Sequence, residues 1–378
     1  MDSQHYVIPE FQFLLDCCKS FSVDKASCQF NFVNGNENLD EEVLFTLIQR
    51  HRVLPLATAF ILNSNLFSES FKKQINTEFY SNQLLALKSK RLEYLFEEFL
   101  DSSKIFGFPF KGVSLANDLY GDIAMRQVYD VDLYVEQNSF EKAHEWLLNL
   151  GYKDSIGFNR FTNAQKRYFK YGGHDLSYYS DDKNLPGLVE LHWRLREGLG
   201  GFSLEPTVIM DQIDEFLYLC VHGTEHAWFR LKWICDILQI VTSRKFDWEK
   251  TVARAIDLNC MTHVIITWLV LNKYFQIEIP QFIALKLDVK KYNWQMRFIS
   301  SAMGKSVPYR TSRIGKFRHI LFLSSLTRKK FNFEIISKYL TSYNDWKLIK
   351  LPDSLFFVYI ILRPFLWLLR GFMSYFSK

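Results

Sequence analysis

The stretch IFGFPFKGVSLANDLYGDIAMRQVYDVDLYV, residues 105–135, decides the fold. Its opening run, Ile105 to Phe110, is apolar, aromatic and short enough for a strand, and Lys111-Gly112 turns the chain into a short helix from about Ser114. A second strand is expected over Gln127–Val135. There Val131, Leu133 and Val135 alternate with Asp130 and Asp132, so the apolar side chains face one way and both carboxylates the other. Strand, turn, helix and strand in this order begin an α and β core.

Two like-charged carboxylates beside a buried apolar face are costly unless a cation holds them, and Mg²⁺ (or Mn²⁺), with its preference for oxygen ligands, fits. A D-x-D pair alone is weak evidence, since such pairs also occur on solvated strands. The upstream turn strengthens it. Gly112 allows close backbone approach, and the helix start at Ser114 offers free N–H groups and a positive dipole end for phosphate. Glu190, in the strand LVELHW, supplies a third carboxylate on the same face as His192. It can ligate metal or activate a hydroxyl.

Outward from this core the pattern is helical. Leu85, Leu92, Leu95, Phe96 and Phe99 recur at helical spacing, and Asp40–Phe60 and Glu69–Ser102 both read as helices. After Asn138, the residues Glu141, Ala143, Trp146, Leu147 and Leu150 predict a capped helix closed by Gly151. Further strands are expected near Tyr168–Tyr179 and Gly187–Trp193, and the helical period returns from Glu215. The regions are 1–103 (helical), 104–200 (α/β core), 201–300 (helical, completing the cleft) and 301–378 (basic, aromatic, helical). The fold class is α+β, a mixed sheet core with flanking helices.

Composition sets limits. With 378 residues, 48% apolar and 23% charged, wholesale disorder is excluded, and 35 Phe, 19 Tyr and 9 Trp make much of the burial aromatic. Six cysteines without C-x-x-C spacing argue against a structural zinc site and for reduced thiols. The start MDSQHYVIPEFQ lacks a signal-peptide pattern, so a cytoplasmic location is expected. Residues 301–350 hold eleven Lys or Arg against Glu334 and Asp345, an asymmetry that suits an anionic partner or a solvated surface. The apolar segment Leu355–Phe376 is interrupted by Arg363 and Pro364, which predicts a packing helix pair or an interfacial anchor at the inner membrane face through residues 351–378.

In HGTEHAWFRLKWICDIL, residues 222–238, His222, His226, Arg230 and Trp233 fall on one helical stripe. A zinc pair lacks the H-E-x-x-H arrangement, so the stripe is expected to face the cleft, with Arg230 meeting phosphate and Trp233 stacking on a base. Gly304-Lys305-Ser306 is no phosphate loop, because Ile299 stands where a glycine is required.

Taken together, Lys111-Gly112, Tyr120-Gly121, Arg126, Asp130-x-Asp132, Glu190-Leu191-His192-Trp193 and the His222 helix resemble the bacterial uncharacterised nucleotidyltransferase family of the DNA polymerase beta-like superfamily. The resemblance spans roughly residues 40–250. It implies a nucleotidyltransferase-like mixed sheet, Mg²⁺ on Asp130 and Asp132 with Glu190 as the third acid, and a nucleoside triphosphate at Gly112. Lys111, Ser114 and Arg126 are then candidates to contact the nucleotide, and His192, His222 and His226 to support the site. The acceptor is open among protein, RNA, peptide and small molecule. Gly112 is followed by Val113 rather than Gly or Ser, and Glu225 stands where Lys is usual, both departures from the family pattern. A non-catalytic protein of the same fold, attached through the C-terminal region, is the alternative. A sugar-nucleotide glycosyltransferase fits less well, because about a hundred residues of helical pattern precede the core.

Overall fold

Short apolar runs between turns give a five-stranded mixed sheet in the middle of the chain. The structure, a computed structural model, describes residues 8–23, 39–197, 202–204, 209–285, 288–304, 313–326 and 340–376. Strands β1 (Gly107–Phe110), β2 (Val131–Val135), β3 (Lys153–Asp154), β4 (Asp175–Tyr179) and β5 (Leu188–His192) lie in the order β1-β2-β5-β4-β3. Only β2 and β5 run parallel. Their register sets Asp132 directly beside Glu190.

Among the described residues, four helices precede the sheet: α1 (Pro9–Val23), α2 (Glu41–His51), α3 (Leu54–Leu62) and α4 (Glu69–Ser103). The last starts at Ser68, whose hydroxyl accepts from the Phe71 amide, and ends where Lys104 turns left-handed. Leu92, Phe96 and Leu100 of α4 pack on one sheet face against Val131, Leu133 and Val189. After β1 comes α5 (Gly112–Tyr120). The crossover from β2 to β5 carries α6 (Phe140–Asn149), closed by left-handed Gly151, and α7 (Asn163–Gly172). The opposite sheet face, with Phe108, Phe110 and Tyr134, joins a larger core with α8 (Gln212–Glu225) and α9 (Leu231–Ser243). Asp132 lies on this second face, between sheet and helices.

Four expectations change. The strand expected over Gln127–Val135 begins only at Val131, because β1 ends opposite Asp132 and β5 pairs no residue ahead of Val131. Instead Lys232 donates to the Gln127 carbonyl at 3.2 Å. Residues 163–172, placed partly in a strand, are helical, because Thr162 and Gln165 form a reciprocal capping box. The single helix expected through His222–Leu238 is two helices. Ala227 and Trp228 adopt left-handed φ of 53° and 48°, and the Trp228 ring folds back on Gly223, where an added Cβ would lie 2.2 Å from it. Lastly, residues Val358–Phe376 form one helix that runs through Pro364, not a pair. No helix among the described residues is long and apolar enough to cross a membrane. Of the basic residues in 301–350, Lys305, Arg310, Arg328, Lys329, Lys330 and Lys338 lie outside the described residues, as do Ser306 of the rejected phosphate loop and Cys28.

A buried ion pair ties the core to α9. Arg126 Nε donates to both oxygens of Asp236 at 3.1 and 3.0 Å, and Tyr120 Oη donates to the same carboxylate. Removing one partner strands the other charge. Asp236→Ala is therefore expected to cost about 3–5 kcal/mol in urea unfolding, whereas Arg126→Met with Asp236→Leu costs clearly less than the single change.

Candidate functional site

The pairing of β2 with β5 builds the site. Asp132, Glu190 and His192 can each place one ligand atom within 4.8 Å of the others. Asp132 and His192 are buried and Glu190 is half-buried. His192 Nε2 lies 3.1 Å from Asp132 Oδ1 and 3.7 Å from Glu190 Oε2, and Lys111 Nζ lies 3.9 Å from Asp132. The Phe110 ring holds His192 edge-on at 4.9 Å between centroids. Sequence reasoning gives His192 a supporting role; the fold sets it between the two acids.

Charge follows from this geometry. Burial alone would raise the Asp132 carboxyl, but Lys111, the His192 hydrogen bond and the His192 and His222 charges outweigh it and hold it well below the carboxylate range. Burial would lower His192, yet its contacts with Asp132 and Glu190 push it up to about 10. Glu190 is raised by burial and by the neighbouring Asp132 and Asp130, despite His192. An imidazolium and an ammonium thus stand beside the acids, a solution the spacing of the carboxylates did not suggest.

The other expected residues divide. Asp130 is half-exposed, one residue ahead of β2, and stands outside the three-residue group. Its charge acts on Arg52, Arg230 and Lys232. Lys111 and Gly112 have left-handed φ of 56° and 45° and turn the chain into α5. The start of α5 already holds an anion, because buried Glu93 accepts from the Ser114 hydroxyl at 2.8 Å and also from its amide. Glu93 breaks the apolar stripe of α4 between Leu92 and Phe96, a signal available in the sequence. Arg126 is spent on Asp236, and its Nη1 also reaches the Gly112 carbonyl at 3.5 Å, so it steadies the turn.

His222, His226 and Trp233 do meet, though on two helices. Their ring centroids lie 4.6 to 5.3 Å apart, with His226 stacked on Trp233. Arg230 N-caps α9 and lies over Trp233 at 5.4 Å. Arg52, overlooked in the sequence, stacks on Tyr129 at 4.0 Å, next to Asp130.

The donor set suits a divalent ion: two carboxylates from adjacent strands favour Mg²⁺, and the imidazole extends the fit to Mn²⁺. A mixed sheet with acids paired across parallel strands and helices on both faces fits a nucleotidyltransferase-like fold. The sequence model of the uncharacterised nucleotidyltransferase family matches residues 37–276, and the chain belongs to that family. No curated protein and no solved structure matches it.

A pH dependence follows. His192 is raised above its unfolded value near 6.5, so its contribution to stability is complete below about pH 6.5 and is lost as pH rises through about 10. In EDTA, the stability gap between the wild type and His192→Gln, measured by urea unfolding, is expected to be widest at pH 6 and to narrow steadily towards pH 10. A gap independent of pH would contradict the charged pair.

Proposed function

We propose that this chain, a member of the polymerase beta-like superfamily, transfers a nucleoside monophosphate from an NTP to an acceptor hydroxyl or phosphate, with Mg²⁺ or Mn²⁺ on Asp132 and Glu190 and with Asp130 as a further ligand. The supporting observation is the Asp132–Glu190 register beside His192, in a family of nucleotidyltransferases. The metal, when bound, stabilises charge on the reacting phosphoryl oxygens. The acceptor oxygen attacks the α-phosphorus, the bond to the α–β bridging oxygen breaks, and pyrophosphate leaves with that electron pair. Glu190 holds metal or, raised by burial, takes the acceptor's proton, while His192 keeps Asp132 oriented. Lys111 neutralises charge beside Asp132, Gly112 and Ser114 shape the loop under the nucleotide, and Trp233 with His222 and His226 forms an aromatic wall for the base. Protein, RNA, peptide and small-molecule acceptors all fit this chemistry, and a cytoplasmic location accords with it.

Incubation with metal, each α-labelled NTP and cell extract tests the reading. Label is expected on an acceptor, with pyrophosphate released, and Asp132→Ala or Glu190→Ala should lower the rate about 100-fold or more. An unchanged rate in either variant would reject the assignment.

A second reading concerns attachment. On the helix Val358–Phe376, the side chains of Ile361, Phe365, Trp367 and Leu368 are all more than 60% exposed. The helix's two charges, Arg363 and Arg370, both turn to Asp345, which is fully buried. An apolar outer face with its charges tied inward suits the interface of a membrane, with or without catalysis. The full chain is expected to float with anionic liposomes and Phe365→Glu with Leu368→Glu to remain at the bottom of the gradient; equal recovery would reject the contact.

A further inference from the structure

The expected phosphate cradle at the start of α5 is filled by the Glu93 carboxylate, yet two arginines nearby have the opposite problem. Arg52 caps the end of α2 in a left-handed conformation, φ 55° and ψ 45°, with its guanidinium 4.0 Å from the centroid of the Tyr129 ring. That ring is itself fixed: Tyr129 Oη accepts from Gln127 Nε2 at 3.0 Å and donates to Gln49 Oε1 at 3.4 Å. Arg230 lies over Phe229 at 4.9 Å and Trp233 at 5.4 Å. The two segments are joined by one buried bond, from the Leu231 amide to Nδ1 of His51 at 3.2 Å, so Arg52 and Arg230 flank the same junction. Burial pushes His51 down to about 3, so it accepts this bond as a neutral ring.

Among the described residues, neither the Arg52 nor the Arg230 side chain forms an ion pair or a hydrogen bond. Both are half-buried. Burial lowers both groups, with Arg126 adding to it on Arg52, and with Arg52 and Arg50 taking Arg230 down to about 10; Asp130 acts against this on each, and Glu190 on Arg52. Two planar forks held on aromatic platforms, with their donors unspent, match the oxygens of a phosphate. They also stand near the site: Arg52 stacks on Tyr129, two residues ahead of β2, within reach of the Asp130 and Glu190 charges, while Arg230 lies over Trp233, which meets His222, whose charge acts on Asp132.

We propose that Arg52 and Arg230 form a phosphate-binding pair at the edge of the acid cluster, taking a phosphoryl group of a substrate. The inference rests on the nucleotidyl-transfer reading for the source of that phosphate: the triphosphate tail or a phosphorylated acceptor. It makes α2, from the helical N-terminal region, part of the binding site.

Calorimetry on the full chain tests it in three titrations: a non-hydrolysable NTP with Mg²⁺, inorganic phosphate alone, and inorganic phosphate into NTP-saturated protein. Arg52→Gln and Arg230→Gln are each expected to weaken at least one titration by about tenfold or more, with Lys153→Gln as the exposed control. Weaker NTP binding identifies the triphosphate as the source. Loss confined to phosphate binding identifies a phosphorylated acceptor. Arg52→Lys and Arg230→Lys, which keep charge but lose the fork, should fall between, and they decide the matter where a glutamine variant does not fold. Affinities unchanged in all three titrations, or losses matched by Lys153→Gln, would overturn the proposal. Asp132→Asn separates the two readings: it abolishes metal-dependent NTP binding if the transfer reading holds and leaves phosphate binding by the arginines in place.

Discussion

Two acids at the same level of neighbouring parallel strands, closed in by helices, can persist only if positive charge stands between them. That requirement organises the centre of this molecule. Asp132 and Glu190 are fixed side by side by backbone hydrogen bonding, which no side-chain movement can undo. Without metal, His192 and Lys111 meet the requirement, and the price is an imidazole held protonated far above its usual range. The same balance leaves the site ready to exchange a proton for a divalent ion, since the ion would occupy the place of that positive charge.

The surrounding architecture distributes charge with the same economy. Glu93 neutralises the start of α5, Asp236 holds Arg126, and Asp345 gathers both arginines of the last described helix. Each buried or half-buried charge in these three places has a partner of opposite sign. Arg52 and Arg230 depart from that pattern: neither guanidinium has a paired carboxylate among the described residues, and Asp130 acts on both only at a distance. The bond from Leu231 to His51 joins the two segments that carry them.

Much of this was legible in the sequence. The α+β class, the turn at Gly112, the alternation of residues 131–135 and the Glu190 strand follow from period and turn chemistry, which are local. The D-x-D motif was only half legible: alternation places Asp130 and Asp132 on one face, but a strand lasts only as long as its partner, and β1 stops opposite Asp132. The break at residues 226–230 depends on the Trp228 ring filling the space that Gly223 leaves, a contact that helical periodicity cannot register. Likewise Asp236 acts through partners 110 and 116 residues away and Arg52 through stacking, and no local pattern marks such pairs. The capping box at Thr162 and Gln165, by contrast, was present to be read.

The central claim, that a divalent ion belongs between Asp132 and Glu190, is tested most directly by anomalous diffraction from crystals grown with Mn²⁺ and a non-hydrolysable NTP. The account predicts a manganese peak within about 2.2 Å of an oxygen of each carboxylate, with phosphate oxygens completing its shell. Crystals with nucleotide bound, no anomalous peak there, and His192 still lying between the two acids would contradict it.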